Sequence, residues 1–534
     1  MELQNLPRLE LVRLLEPIAE ARAQQSQFTN WGRTFSAHPQ VVFHPRTVTD
    51  CRLALELARR DARVLRPVGI GHSPSDLACT DDYMLNMTSM NRVLRVDTEK
   101  CFVEAEAGII LTDLHAALEP YGLAMRNLGS ISDQTLAGIV TTCTHGSGIN
   151  FPVLSAHVLA LTLVLPATNT VVRCSRTENS DLFEATICGL GATGVILTIT
   201  LELERAFRLK DVHTMCEFDD VLQDLDTIKR SGEHVRLWWF PAIDRVRVSV
   251  ANRTTEPKRN PKSSWLWDSL IGFHVLQFLL LLTRLARYSP APPSSLFERL
   301  HPLRLFSRTN VLVARLACWL AGPTSITVDD SHRVFNIECR YRQHTTEWAI
   351  PSSAAPTCLS MLQTYLKAEQ EREGGERPHF PIEVRWSSGD NLWLSPAGDR
   401  GDGGDGETCW IGIVVFKPYN LPTRYRAMFT AFEDIMTRHG GRPHWAKAHH
   451  LTPEKTRTLY PQLERFVRVV READPEGLVR NEYVGRHLGI VGAERLVDAD
   501  SKESMDLDSR RYKRPRGATQ KRRDWRVEPR ARTQ

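Results

Sequence analysis

The sequence predicts an α+β protein built from two domains. Its 534 residues exceed what a single hydrophobic core serves, so two or three domains are expected. Strand and helix patterns alternate through the first 205 residues, whereas from about Phe207 longer strand patterns mix with long helices. We therefore expect an N-terminal helical segment at 1–34, a first domain at 35–206 and a second, broadly antiparallel domain at 207–495.

The first domain is predicted to interleave short strands and helices. The strand pattern QVVFHP at 40–45 precedes a helix that Thr47 or Thr49 caps, with Leu53, Leu55 and Leu57 on its apolar face. After a second strand, VLRPVG, comes the loop RPVGIGHSPSD at 66–76. The following pattern predicts a strand, a break at Gly108 and a helix capped by Thr112, and two further strands are AHVLALTLVLP and GVILTITLELE.

The second domain shows strand patterns in VRLWWFP, RVRVSVANR, HRVFNIECRYRQ and TCWIGIVVFKP, and a helix pattern in TRYRAMFTAFEDIMTRHG. It also contains a hydrophobic insert at 264–322. The apolar run of this insert, Leu270–Leu282, is shorter than the roughly 20 residues of a bilayer span. Tryptophans before the run and arginines after it are typical of interfacial anchors and favour membrane association, with a buried helix as the alternative.

Composition excludes several classes of protein. The formal net charge is only +5, and much of the excess lies in a basic tail at 496–534 that we expect to be disordered, so nucleic-acid binding is not predicted. Eleven cysteines without a CxxC pair argue against a zinc ribbon and a secreted disulfide scaffold, and favour reduced cysteines in a cytosol-facing protein. The acidic N-terminal segment does not resemble a cleavable presequence.

A literal GxGxxG pattern, GLGATG at 189–194, does not predict a dinucleotide-binding Rossmann fold. That fold requires a strand before the glycines and a helix after them, whereas here a helix pattern precedes and a strand pattern follows. The same loop joins two other segments rich in glycine and hydroxyl groups, at 66–76 and 127–148. Because such loops bring backbone N–H groups close to anions, three of them favour a large phosphorylated cofactor.

Taken together, these segments carry a family resemblance. GHS in the first loop, LGSISDQTLAGIVTTCTHGSG and CGLGATGVI resemble the FAD-binding (PCMH-type) domain of the vanillyl-alcohol-oxidase flavoproteins. TEWAIP, PIEVRW, DNLWLSP, RPHWAK and DPEGLVRNEYVGR resemble the substrate, or cap, domain of the aldonolactone oxidoreductases within that superfamily. The hydrophobic insert resembles the fungal D-arabinono-1,4-lactone oxidase branch, which implies the cytosol-facing outer mitochondrial membrane.

The resemblance implies FAD, covalently attached through His72. It assigns cofactor contacts to three segments: Pro67, Val68, Gly69, Ile70, Gly71, His72 and Ser73; Gly129, Ser130, Ser132, Gln134, Gly138, Thr141, Thr144 and His145; and Val195 and Ile196. No metal site is expected.

Glu383 and Arg385 are the predicted catalytic pair. Their i, i+2 spacing on a strand places both side chains on one face. There the guanidinium can donate hydrogen bonds to a lactone oxygen, and the carboxylate can accept one from a substrate hydroxyl. A surface ion pair is the alternative that the residues alone leave open. His444 and Lys447 in HWAK are further candidates for this pocket.

The implied reaction is hydride transfer from C2 of an aldono-1,4-lactone to FAD, giving an erythroascorbate-type product. Gly129 occupies the position at which, in this family, a glycine opens a path for dioxygen, which favours an oxidase that releases hydrogen peroxide. A lactone dehydrogenase that uses cytochrome c and an alditol or sugar oxidase are the alternatives. Expected partners are a small sugar lactone, dioxygen and a membrane.

Overall fold

The computed structural model describes residues 3–20, 27–259, 274–275, 277–281, 309–336, 341–372, 375–377, 381–400 and 406–490. Most of the predicted insert 264–322 and the whole tail 496–534 lie outside these ranges. Among the helices in the described ranges, none combines the length and the apolar character needed to cross a membrane.

The N-terminal half of the chain forms a three-stranded parallel sheet, in the order β3-β5-β4, and a five-stranded antiparallel sheet, in the order β10-β9-β11-β7-β6. Its strands are β1 Phe28–Thr29, β2 Ser36–Ala37, β3 Val41–Phe43, β4 Leu65–Val68, β5 Tyr83–Asn86, β6 Val93–Asp97, β7 Phe102–Glu106, β8 Leu123–Ala124, β9 Val158–Leu165, β10 Thr170–Ser175, β11 Val195–Glu202 and β12 Glu204–Arg205. Its helices are α1 Arg8–Leu15, α2 Val48–Arg60, α3 Leu111–Leu118, α4 Leu136–Thr141 and α5 Ser180–Thr186.

Helix α2 illustrates how local sequence sets an element. The Thr47 hydroxyl accepts from the Asp50 N–H at 3.1 Å, and the Asp50 carboxylate accepts from the Thr47 N–H at 3.0 Å, forming a capping box. Leu53, Leu55 and Leu57 are all buried, but Leu55 lies about 200° around the helix from Leu53, so the burial of α2 is not confined to the single apolar face predicted. Of the two predicted caps, Thr47 is therefore confirmed.

The C-terminal half is dominated by one eight-stranded sheet, in the order β16-β13-β15-β14-β18-β19-β17-β20, with every neighbouring pair antiparallel as predicted. Its strands are β13 Arg208–Glu217, β14 His234–Phe240, β15 Arg245–Thr254, β16 Thr324–Asp330, β17 Gln343–Pro351, β18 Ile382–Ser388, β19 Glu407–Phe416 and β20 Arg442–Pro443. The helices are α6 Phe218–Gln223, α7 Leu225–Lys229, α8 Thr309–Ala321, α9 Ser331–Phe335, α10 Ala355–Glu371, α11 Arg426–Arg438, α12 Pro453–Leu459, α13 Leu463–Ala473 and α14 Glu482–Leu488.

The two faces of this sheet have different partners. On one face, Val384, Trp386 and Ile411 join a core with apolar residues of α10 and α11. On the other face, Trp410 and Ala349 share a core with residues of the N-terminal half. The alternating side chains of β18 therefore divide between a hydrophobic core and the junction between the two halves.

The C-terminal segment at 478–486 packs against the N-terminal half. The Leu65 N–H of β4 donates to Leu478 O at 2.6 Å, and the buried Arg66 guanidinium donates to Val479 O at 3.2 Å. Arg486 forms an ion pair with Asp76 at 2.7 Å. The C-terminal segment therefore holds the loop at 66–76 at both of its ends. The predicted domain boundaries stay a prediction.

Two predictions of secondary structure are wrong. Helix α3 begins at Leu111 and Thr112 is not its cap, because Ile110 still bridges to Thr135 and Gln134 O accepts the Leu111 N–H at 3.0 Å. The pattern HRVF, predicted as a strand, lies in α9. Its helical turn exposes carbonyls that accept from the buried Arg236 guanidinium at 2.9–3.0 Å, and 337–340 lie outside the described residues.

The expectation of reduced cysteines is wrong for one pair, since Cys143 and Cys188 form a disulfide. Backbone hydrogen bonds join the C-terminal end of α4 to the GLGATG segment at 189–194, called the glycine loop below. The Cys188 N–H donates to Val140 O and the Leu190 N–H to Thr141 O, both at 3.1 Å. This brings the two buried Cα atoms to 5.1 Å, within disulfide range. Eight other cysteines in the described ranges are free.

Candidate active site

The candidate site lies on the face of the eight-stranded sheet that is turned towards the N-terminal half. The side chains of Glu383 and Arg385 project from β18 on this face. Across the sheet, Glu383 is opposite Trp238 of β14 on one side and Gly412 of β19 on the other, and Gly412 is opposite Glu347 of β17. In this row, Glu383 and Glu347 lie on opposite sides of Gly412, which has no side chain.

Arg385 lies two residues along β18 from Glu383 and contacts both carboxylates of this row. Its Nη2 donates to Glu347 Oε1 at 2.6 Å and its Nη1 to Ser130 Oγ at 3.3 Å. Its Nε lies 3.4 Å from Glu383 Oε2 and is buried without a hydrogen-bond acceptor among the described residues. Burial alone would lower the pKa of Arg385, but Glu383 and Glu347 raise it. The result is a buried cation held between two carboxylates.

Two neutral imidazoles border this cation. The His145 ring stacks on Trp410 with ring centroids 3.7 Å apart. Its Nε2 lies 3.5 Å from Arg385 Nη2 and 3.2 Å from Glu347 Oε1. Burial, followed by the charge of Arg385, lowers the pKa of His145. His444 donates its backbone N–H to Glu347 O at 2.9 Å, and burial lowers its pKa to about 3. Both rings are therefore uncharged at neutral pH.

Lys447 completes the polar group. Its Nζ lies 3.7 Å from Glu347 Oε2, and its side chain is partly exposed, as is that of Glu383. The charge of Lys447 also contributes to lowering the pKa of His72, so the two side chains lie near each other. The partly exposed space beside Glu383 and Lys447 is called the crevice below. All three predicted catalytic residues are thus brought together.

The ligand atoms of His145, Glu347 and His444 lie within 4.8 Å of one another, a spacing that could hold a metal ion. However, Glu347 Oε1 already accepts from the Arg385 guanidinium, and Lys447 lies on its other oxygen. A divalent cation would have to enter beside two positive side chains. The geometry therefore favours an ion-pair network.

His72 lies in the loop after β4. Its ring stacks on Trp31 with centroids 4.9 Å apart and an interplanar angle of 16°, and the Trp31 N–H donates to Gly71 O at 2.8 Å. The Nδ1 atom of His72 is buried without a hydrogen-bond partner among the described residues. Burial, followed by Lys447, lowers the pKa of His72 to about 4. The ring is therefore neutral at pH 7, with one nitrogen unused by the protein.

The three glycine-rich segments converge next to His72. A Cβ at Gly69 would overlap the Thr135 side chain, and Gly71 has a φ of +70°, so neither position accepts a side chain without strain. Arg66 donates to Leu190 O at 2.9 Å, and Leu190 in turn bonds to α4. The backbones of all three segments are therefore joined into one surface beside the imidazole.

The structure gives the predicted cofactor-binding residues different surroundings. Ser130 and His145 face the polar row, whereas the Ser132 hydroxyl donates to Asn336 Oδ1 at 2.9 Å. The Thr141 hydroxyl donates to Ala137 O within α4. Val195 and Ile196 are buried in β11. The remaining positions lie along β4 and its loop or along 129–144: Pro67, Val68, Gly69, Ile70, Gly71, Ser73, Gly129, Gln134, Gly138 and Thr144.

Sequence reasoning missed four residues of this site: Trp31, Thr135, Glu347 and Trp410. Glu347 carried a usable signal, because a carboxylate in the middle of the apolar strand TEWAIP must find a cationic partner when the strand is buried. Trp31 precedes the first predicted strand and carried no such signal.

Comparisons with known proteins bear on both halves. Residues 39–175 match the family model described as FAD binding domain, and residues 199–487 match that described as D-arabinono-1,4-lactone oxidase. L-gulonolactone oxidases of Scyliorhinus torazame and Bos taurus are each 37% identical over 86% of this chain and 97% of their own. The D-arabinono-1,4-lactone oxidase of Eremothecium gossypii is 29% identical over 90% of this chain and 98% of its own.

Solved structures match in fold. A cholesterol oxidase from Brevibacterium sterolicum superposes with a TM-score of 0.71, at 16% identity, over 91% of this chain and 98% of its own. A solvent-stable cholesterol oxidase gives 0.69, also at 16% identity, over 86% and 97%. These likenesses extend through both halves, so the two-domain arrangement of an FAD-binding unit and a second α+β unit is confirmed.

Proposed function

The chain belongs to the family of FAD-dependent aldonolactone oxidases, and we propose from this premise that the row around Arg385 is where an aldono-1,4-lactone is bound and oxidised at C2. The observation that carries the assignment is the buried Arg385 guanidinium, which an ion pair with Glu347 at 2.6 Å holds in place. It lies next to Glu383, which is partly exposed to the crevice.

The residues present fit FAD. The unpartnered Nδ1 of His72 supplies a nucleophilic nitrogen for a covalent bond. Gly69 and Gly71 let the loop that carries it pack tightly against Thr135 and Phe28. We propose that His72 forms this bond, that the loops at 67–73 and 129–145 hold the cofactor, and that the backbone of Val195 and Ile196 contributes. When bound, FAD accepts a hydride from the substrate and passes the electrons to dioxygen.

The protein side chains then have separate tasks. The Arg385 guanidinium binds a lactone oxygen and stabilises negative charge that develops beside it. Glu383 accepts a hydrogen bond from a substrate hydroxyl and so orients the C2–H bond. Lys447, partly exposed at the same crevice, supplies a second donor to the substrate.

A substrate panel tests this function. We expect purified enzyme to release hydrogen peroxide, and its flavin to bleach without oxygen, with D-arabinono-1,4-lactone or L-gulono-1,4-lactone. Xylitol distinguishes an alditol oxidase, and cytochrome c reduction without peroxide distinguishes a dehydrogenase. If no lactone is turned over, the proposal is wrong.

Gly129 is predicted to control the reaction with dioxygen. A Cβ at Gly129 would lie 3.0 Å from Thr144 Cγ2 and 3.5 Å from His145 O, so Gly129→Ala fits with a small shift while it narrows the space beside His145. We expect flavin reoxidation by dioxygen to slow at least about tenfold, with flavin reduction by lactone unchanged. Stopped-flow absorbance measures both steps.

Gly485→Ala is the matched control, since its Cβ would meet only Ile490 O, at 3.9 Å. Equal reoxidation rates in Gly129→Ala and the unsubstituted enzyme would remove Gly129 from the dioxygen path.

We further propose that the enzyme associates with a membrane, at the cytosolic side of the outer mitochondrial membrane. Trp319 and Leu312 of α8 are 76% and 56% exposed, and Phe278, in the same insert, is 53% exposed. Apolar side chains displayed in this way are typical of contact with a lipid surface. Flotation with vesicles should be lost in Trp319→Asp but kept in Tyr121→Asp, which changes an exposed aromatic residue of the N-terminal half. Cell fractionation tests the compartment.

A further inference from the structure

Glu347 is the most enclosed carboxylate of the active site. It is 4% exposed, accepts from Arg385 at 2.6 Å, and lies 3.2 Å from His145 Nε2 and 3.7 Å from Lys447 Nζ. Its side chain reaches towards Arg385 across Gly412, where an added Cβ would already touch its Cγ and Cδ at 3.6 Å. Glu347 therefore contacts both cations of the site and the histidine contributed by the N-terminal half.

Glu347 cannot act as a proton carrier. Burial alone would raise the pKa of Glu347, yet the charge of Arg385 holds it well below its usual range. The group therefore remains ionised whenever the enzyme works. What it contributes is a permanent negative charge in a fixed position.

The negative charge of Glu347 brings the net charge of the crevice to zero. Arg385 and Lys447 are opposed by Glu383 and Glu347, while His145 and His444 are neutral. The next cation along the sheet, Arg236, lies 3.8 Å from its own counter-ion Asp211. On the His72 side, Arg342 and Asp133 act with opposite signs on the pKa of His72, so their charges oppose each other. The two cations and two anions around the substrate therefore cancel.

An aldono-1,4-lactone is neutral, but it takes up water and opens to an aldonate anion and a proton. The aldonate carries the same hydroxyl groups and adds a carboxylate, which is ionised at neutral pH. A crevice with Arg385 and Lys447 alone would bind such a carboxylate strongly. With both carboxylates present, the anion gains no net attraction and meets like charge.

We propose that Glu347 is a positioning and specificity-determining residue that fixes Arg385 and, by its charge, makes the site select the closed lactone over the ring-opened aldonate. This inference rests on the proposed function of the site. Glu347 then has two separable effects. It supports the rate of lactone oxidation by fixing Arg385, and it lowers the affinity for the aldonate anion.

Calorimetric titration of purified holoenzyme with D-arabinonate tests the charge. We expect Glu347→Gln to bind aldonate at least about tenfold more tightly than the unsubstituted enzyme, with an affinity that falls as salt rises. The matched control is Glu56→Gln, because Glu56 is equally buried and pairs with Arg59 and Arg60 at 2.9 Å, on α2. That control should leave aldonate affinity unchanged.

Two more variants separate the effects. Glu347→Asp keeps the charge but shortens the side chain, so aldonate should still bind weakly while kcat for the lactone falls. Glu383→Gln makes the same charge change on the other side of Gly412 and serves if Glu347→Gln does not fold. Equal aldonate affinity in the unsubstituted enzyme and in the folded Gln variants would overturn the proposal. Absence of turnover with every lactone would instead refute the proposed function, since calorimetry needs no turnover.

Discussion

Replacing Arg385 by methionine is expected to lower kcat/KM for an aldono-1,4-lactone by about 10³-fold or more, since loss of one preorganised donor to developing charge alone costs about 10²–10³-fold. The larger effect follows from the surroundings of Arg385. Its removal leaves Glu347 buried and Glu383 partly buried without the guanidinium that both now face. Steady-state peroxide assays over a range of lactone concentrations measure the loss.

Arg385→Lys sharpens this test. Lysine keeps the charge but cannot contact Glu347, Ser130 and a substrate oxygen with one planar group, so we expect about a 10²-fold loss. Arg442→Lys is the matched control for removing a buried guanidinium, because Arg442 on β20 donates to the carbonyls of Ser395, Gly398 and Asp399. It should lower the melting temperature and leave kcat/KM within about threefold. An Arg385→Met enzyme that is folded and fully active would exclude Arg385 from catalysis.

Replacing His72 by asparagine is expected to abolish covalent attachment of the flavin. Burial and the nearby Lys447 lower the pKa of His72 to about 4, so the imidazole is neutral above about pH 5, and its unpartnered Nδ1 keeps a free electron pair for the bond. After acid precipitation and washing, the unsubstituted protein should remain yellow and fluorescent under ultraviolet light. The His72→Asn variant should give colourless protein and a yellow supernatant.

His44→Asn is the control, because His44 lies outside the crevice and near the exposed Glu20. It should keep the flavin on the precipitated protein. Because a lowered pKa means that protonation occurs only in acid, attachment during refolding with FAD should be constant from pH 6 to 8 and should fall as the pH approaches 4. Colourless precipitate from the unsubstituted protein would show that FAD is held without a bond to His72.

The parts of the site that could be predicted from sequence are those set by short-range rules. Thr47 caps α2 because its partner is three residues away, and Glu383 and Arg385 share a face because a strand alternates. The GHS loop was recognisable because glycines at 69 and 71 leave a characteristic pattern. In each case the physical cause lies within a few neighbouring positions.

The features that could not be predicted depend on contacts between distant parts of the chain, beginning with the order of strands in the sheet. Glu347 contacts Arg385 only because β17 and β18 flank β19, and no local pattern specifies that order. Trp31 meets His72 through a backbone contact to Gly71 across 40 positions of chain. Likewise, Cys143 and Cys188 are 45 residues apart and are joined because α4 and the glycine loop share hydrogen bonds. Such tertiary contacts override what spacing and composition predict.

The return of the last helices to β4 has a consequence for biosynthesis. Arg66 is bonded to Val479, 413 residues later, and Asn481 donates to the carbonyls of Leu77 and Cys79. At translation rates of about 5–20 residues per second, the segment that bears His72 waits roughly 20–80 s on the ribosome for these partners. The cofactor cradle is therefore completed only when nearly the whole chain has been made, so loading of the cofactor follows synthesis.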